Sequence, residues 1–151
     1  MEASLEAASA PPPVGFAPDR IEVRSTCNQD GPSVRPAIHS NGTIYAAFFR
    51  WTACSVIPYT GDVIVVRDDN WASGPTPFRS LLDPGDTQSG VRVATAVSFP
   101  FNSLLGTQRI GSQLAIAVDP RNSQTVYIAW ADGTSASNYT IHVRHSTNGR
   151  C

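Results

Sequence analysis

Three histidines, three cysteines and several close-set carboxylates are the residues of this chain whose types could do chemistry, so their spacing is read first. His142 and His145 stand three apart, which on a strand sends them to opposite faces, and His39 is isolated. No zinc set follows, and no metal or cofactor is expected. The cysteines at 27, 54 and 151 are odd in number and lack metal-site spacing. Two readings stay open for Cys27 and Cys54: a bridge in an oxidising compartment, or unpaired packing cysteines. They come within bridging reach only if the segment before Asp30 folds back over the first strands. Asp68 and Asp69 are adjacent, so on a strand they point oppositely and read as turn-forming acceptors rather than a paired-carboxylate site. The Asp83-Pro84-Gly85-Asp86 run could offer oxygens to calcium, but two carboxylates without further ligand spacing read as a turn. Asn41-Gly-Thr and Asn138-Tyr-Thr match the glycosylation acceptor pattern, which matters only in a eukaryotic secretory pathway.

Composition narrows the partners. The 151 residues have the length of one ordinary domain, and a hydrophobic fraction of 41% allows a core. Eleven basic residues nearly balance twelve acidic ones, so no electrostatic case exists for nucleic acid or an anionic membrane. Every basic residue is arginine. That bias suits two-pronged contacts with carboxylates but equally fits a GC-rich genome. No apolar run approaches the ~20 residues needed to span a bilayer. The opening "MEASLEAASAPPPVGFAPDR" has no early positive charge and no sustained hydrophobic stretch, so it is no secretory signal. It reads as a flexible Ala/Ser/Pro leader over 1–29, with Pro11 to Pro13 extended.

The elements that must position these residues are strands. Short runs rich in Val, Ile, Tyr, Phe, Trp and Thr are separated by Gly, Pro, Asn and Asp clusters. Strands are expected at 34–39, 43–51, 62–68, 77–82, 91–98, 113–118, 125–131 and 139–145, giving an all-β chain. The pattern then repeats. "PAIHSNGTIYAAFFRW" followed by "DVIVVR" returns as "LAIAVDPRNSQTVYIAW" followed by "YTIHVR", matching Tyr45 to Tyr127 and Arg67 to Arg144. Repeats of this size in an all-β chain suggest propeller blades. In "TIYAAFFRW" and "TVYIAWA" both faces are apolar, which predicts strands covered on both sides.

The run "VRPAIHSNGTIYAAFFR" followed by "DVIVVRDDNW" resembles the first blade of bacterial sialidases and their sialidase-like relatives, and "VRHSTNGRC" resembles the start of an Asp-box hairpin. The resemblance implies a partial sialidase-like β-propeller of about two four-stranded antiparallel blades, the second incomplete. The expected bounds are a leader over 1–29, a first blade over 30–82, a connecting loop with one possible strand over 83–111, and a second blade over 112–151 truncated in its Asp-box hairpin. On this expectation the chain is an N-terminal piece whose partners include the remaining propeller blades.

The resemblance also implies a chemistry. An arginine cluster holds the carboxylate of a terminal sialic acid or similar acidic sugar, an aspartic acid protonates the leaving group, and a tyrosine backed by a glutamate attacks the anomeric carbon. Arg35 is the candidate for the opening arginine, although it adjoins Pro36 where the family has one residue between, so it either faces the axis through a bulge or forms a structural ion pair. Arg50 matches the second arginine, against the reading of a solvated strand end. Asp62 is the single carboxylate of its loop and the candidate acid, though its place before the third strand fits a structural aspartate better. Asn148 takes the box aspartate's place and can accept a turn hydrogen bond. The implied function is a fragment of an exo-sialidase-type glycoside hydrolase, inactive alone; the alternative is a non-catalytic propeller binding a glycan or protein. Secretion or cell-surface display is implied by the resemblance alone.

Overall fold

The computed structural model describes residues 18–27, 34–99, 113–135 and 138–150. Most of the expected leader, the second half of the expected connecting loop and Cys151 lie outside the described residues. Seven strands follow one another: β1 (Arg35–Ile38), β2 (Ile44–Ala53), β3 (Tyr59–Asp68), β4 (Val91–Phe99), β5 (Leu114–Asp119), β6 (Asn122–Ser135) and β7 (Asn138–Ser146). They build two antiparallel sheets, in the orders β1-β2-β3-β4 and β5-β6-β7, and the described residues contain no helix. The chain is all-β.

Local chemistry sets the hairpins. Between β1 and β2 the Ser-Asn-Gly turn closes with His39 N–H donating to Thr43 O at 2.8 Å. Gly42 sits there at a φ of 97°, and a Cβ on it would come within 2.6 Å of the Trp71 indole nitrogen. That position tolerates only glycine, for both backbone and space. Along β2 the residues alternate between two clusters. Tyr45, Ala47, Phe49 and Trp51 join Val63, Val65, Val91 and Val93 on one face. Ile44, Ala46 and Phe48 join Ile64 and Val66 on the other. A run of period two that is apolar on both faces, as Ile44 to Phe49 is, must be covered twice, and β2 is.

The first cover is the second sheet. Leu114, Val126, Ile128 and Trp130 close over the Tyr45 face to form the main core. Polar ties frame it: Tyr45 O–H donates to Ser123 O at 2.9 Å, Asn41 Nδ2 to Ser123 Oγ at 3.0 Å and Arg67 Nη1 to Gln124 Oε1 at 3.1 Å. The second cover comes from the expected leader. Residues 18–27 lie across the opposite face, where Ile21 is buried beside Phe48 and Phe78. Cys27 and Cys54 are disulfide-bonded, with Cα atoms 6.0 Å apart. Of the two readings left open for these cysteines, the bridge is the one present, and the fold-back it requires is there.

Three features depart from the expected layout. No strand occupies 77–82; an isolated bridge joins Leu82 to Ser89 instead. Phe78 and Leu81 are buried in different clusters, so the apolar pattern there reflects an irregular segment packing both ways. The fourth strand of the first sheet is β4, which lies inside the stretch expected to be a connecting loop with one possible strand. The repeat is also offset by one residue from the sequence alignment. Tyr45 pairs with Arg67, but Tyr127 pairs with His145 and Arg144 pairs with Ile128. His145 is therefore the counterpart of Arg67. Arg144 falls on the opposite face, because one residue of slip in a strand reverses the side chain.

Candidate functional site

Arg50 and Asp62 are direct cross-strand partners on β2 and β3, and both side chains are mostly buried. Arg50 Nη1 donates to Asp62 Oδ2 at 2.8 Å, and Arg50 Nε donates to Ser25 O at 3.0 Å. The other oxygen, Asp62 Oδ1, accepts from Ala96 N–H at 3.1 Å, where a register irregularity between β3 and β4 turns that amide inward. Both carboxylate oxygens and two edges of the guanidinium are thus spent inside the protein. Such a pair orients strands and closes the end of a sheet; it presents neither a free acid nor a free carboxylate clamp.

Arg35 lies elsewhere. Its Cα partner is Ala47, three residues from Arg50 along β2, so the two arginines project from opposite faces of the sheet. The position two before Pro36 is Val34, and it packs against the apolar cluster on Arg50's face. On the spacing that the resemblance implies, the arginine's place is therefore taken by Val34. Arg35 is exposed and forms no ion pair with another described residue. The structure brings Arg50 and Asp62 together and leaves Arg35 apart.

The remaining carboxylates are structural. Asp68 accepts N–H bonds from Asn70, Ala72 and Phe78 at 2.8–3.2 Å, as a turn-forming acceptor would, whereas Asp69 instead pairs with side chains, accepting from Arg67 Nε at 2.7 Å and Thr43 Oγ1 at 3.2 Å. Asp83 accepts from the Arg92 guanidinium, the Arg92 amide and the Gly85 amide. The Arg92 bond holds its carboxyl well below the usual range. Asp86 is bonded by Arg24 and is lowered to about 2, chiefly by that bond. Arg92 is raised in turn, chiefly by Asp83. The oxygens of the Asp-Pro-Gly-Asp run meet guanidinium groups, not open space for a cation. Among the described residues no group of three or more His, Cys, Asp or Glu could hold a metal ion. Asn148 Oδ1 meets Ser146 Oγ at 2.9 Å and Arg150 N–H at 3.1 Å, and so folds the last turn.

Sequence reasoning overlooked two clusters. Arg24, inside the expected flexible leader, is buried and donates to Asp86, Ser89 O and Gly90 O, tying residues 18–27 to the loop before β4. On β6, Asp132 accepts from Trp130 Nε1 at 3.1 Å and contacts His142 Nε2 at 3.0 Å, with the His142 ring stacked 5.1 Å from Trp130. The spacing of Trp130 and Asp132, two apart on one face, was the available signal. His145 stacks on Tyr127 on the other face, as the three-residue spacing required. Where β4 meets β6 and β7, a cleft of about 100 Å³ is lined by Arg92, Val93, Val126, Ile128, Arg144, His145 and Ser146. It is far below the roughly 300–1,000 Å³ of pockets that enclose a ligand. No family model, no curated protein and no solved structure matches the chain.

Proposed function

We propose that the chain supplies two blade units of a sialidase-like β-propeller and serves as a binding scaffold for a glycan or protein ligand, without glycoside hydrolysis of its own. Two stacked antiparallel sheets related by an internal repeat support the propeller architecture. One observation carries the non-catalytic reading: the Arg50–Asp62 pair at 2.8 Å consumes both groups that the hydrolytic scheme needs free. A general acid must offer a proton to the leaving group, and Asp62 has both oxygens already accepting.

A second reading keeps hydrolysis of terminal sialic acid, or a similar acidic sugar, as the activity of a larger assembly. Arg35 favours it, since its exposed guanidinium is free to grip a carboxylate. One experiment tests the scaffold reading. The purified chain is assayed with a fluorogenic sialoside and titrated with sialylated and neutral glycans. The scaffold reading expects no turnover, and expects Arg35→Ala to weaken any preference for acidic glycans. Turnover abolished by Asp62→Asn would reverse the conclusion.

A further inference from the structure

The two Asn-x-Thr acceptor patterns, Asn41-Gly42-Thr43 and Asn138-Tyr139-Thr140, meet opposite treatment in the fold. Glycan transfer needs the Asn amide nitrogen free to react and the hydroxyl two residues on within reach of the transferase. At Asn41 neither condition holds. Asn41 Nδ2 donates to Ser123 Oγ at 3.0 Å, and Oδ1 accepts from Thr43 N–H at 3.0 Å and meets His39 Nδ1 at 2.7 Å. Thr43 is 3% exposed, and its Oγ1 donates to Asp69 Oδ1 at 3.2 Å. The backbone between them is pinned as well, with Gly42 N–H donating to His39 O at 3.1 Å and Trp71 N–H to Gly42 O at 2.9 Å. A glycan on Asn41 Nδ2 would stand where Ser123 of the second sheet closes on the first.

Asn138 is placed the other way. It opens β7 opposite Ser135, at the far end of β6 from Ser123. Asn138 and Thr140 are both exposed, and no hydrogen bond to another described residue engages either side chain. Being two apart on a strand, they stand on one face, with Tyr139 turned to the other. Among the described residues β7 is an edge strand, so no neighbouring strand bars approach from its open side. We propose that Asn138 is an N-glycosylation site of this chain and that Asn41 is not, the donor being an oligosaccharide carried on a lipid pyrophosphate. In the transfer Asn138 Nδ2 forms a bond to the anomeric carbon of the donor sugar, and the bond from that carbon to the pyrophosphate oxygen breaks. The amide nitrogen gives up one proton, the lipid pyrophosphate leaves, and nothing is oxidised or reduced. The Cys27–Cys54 bridge belongs to an oxidising compartment, and the eukaryotic secretory lumen is the oxidising compartment in which this acceptor pattern is read. The inference is independent of the scaffold reading, since it uses neither the Arg50–Asp62 pair nor any bound ligand.

The test directs the full chain into the secretory lumen of eukaryotic cells behind a cleavable signal, and recovers it from lumen and medium together. Release of glycans by an N-glycanase in heavy-oxygen water converts each occupied asparagine to a labelled aspartate, which peptide mass spectrometry locates. In chain whose Cys27–Cys54 bridge is intact, the label should fall on Asn138 and be absent from Asn41. Thr140→Ala should abolish the label and Thr140→Ser should retain it, because the acceptor pattern needs a hydroxyl and not threonine itself. Asn138→Gln should also abolish it while leaving the melting midpoint of the deglycosylated chain unchanged, since an exposed side chain without a partner carries no stability. Absence of label from Asn138 in bridged chain overturns the proposal. Label on Asn41 equal to that on Asn138 also overturns it, because the fold would then not choose between the two patterns.

Discussion

Cys54→Ser should lower the stability of this chain by several kilocalories per mole, although the bridge it removes anchors a segment that reads as a loose leader. The Cys27–Cys54 bridge closes a loop of sequence separation 27. The entropy such a crosslink removes from the unfolded chain corresponds to about 3.5 kcal/mol at 25 °C. Serine is close to cysteine in size, so the loss reports the tether and not a cavity. At this chain length each kilocalorie per mole shifts the melting midpoint by about 2–4 °C, so a fall of about 10 °C is expected. Ile21 adds a second hold, since burying its side chain contributes about 2 kcal/mol. Calorimetric melts of wild type and Cys54→Ser, each with and without reductant, make the measurement. Wild type should fall to the variant's midpoint on reduction, and the variant should not respond. Ile21→Ala should lower both forms further. A wild-type midpoint indifferent to reductant would show that residues 18–27 add nothing to the first sheet, and the argument for an integral cover would fail.

Two other outcomes are expected. The carboxyls of Asp83 and Asp86 are depressed in the fold by Arg92 and Arg24, so their stabilisation is complete above the unfolded carboxylate value and is lost as pH falls through the folded one. Urea midpoints should therefore drop between about pH 4 and pH 2, and Arg24→Met should flatten that dependence; parallel profiles for the two proteins would refute the link. Arg50→Ala strands a buried Asp62 with only the Ala96 amide and should cost about 3 kcal/mol in urea unfolding, with the Arg50→Ala/Asp62→Ala double variant recovering part of the loss. Equal stability of the single variant and wild type would mean that the pair is solvated and spends neither group.

Much of the strand layout was legible before any coordinates. The run 43–51 became β2, 91–98 became β4 and 139–145 became β7, each within two residues or so at its ends. Alternation and turn chemistry are local, and a pleated ladder leaves them in the sequence. The failure at 77–82 has the same root. Phe78 and Leu81 look like strand residues because both are buried, but one goes to each cluster from a loop shaped by Asp68 and Asp83. For the candidate site, the missing residue between Arg35 and Pro36 was visible at once, and the face it sends Arg35 to follows from strand parity. That Asp62 would be saturated was not visible, because its second donor, Ala96, arrives from β4 through a register irregularity.

By itself the sequence determined that this chain is all-β, that it contains one strand unit twice, and which residues share a face within each strand. These are consequences of a two-residue period and of where glycine, proline and asparagine interrupt it. Only the tertiary structure decided which faces are covered, and by what. Ile21 and Arg24 are called in to seal one side of the first sheet, the second sheet seals the other, and Tyr127 remains open although Tyr45 is closed. It also decided the one-residue slip that pairs Tyr127 with His145 and sends Arg144 to the opposite face. The reason is physical: a strand's pattern records which side chains must leave water, but the surface that receives them is set by pairing and packing between segments far apart in the chain.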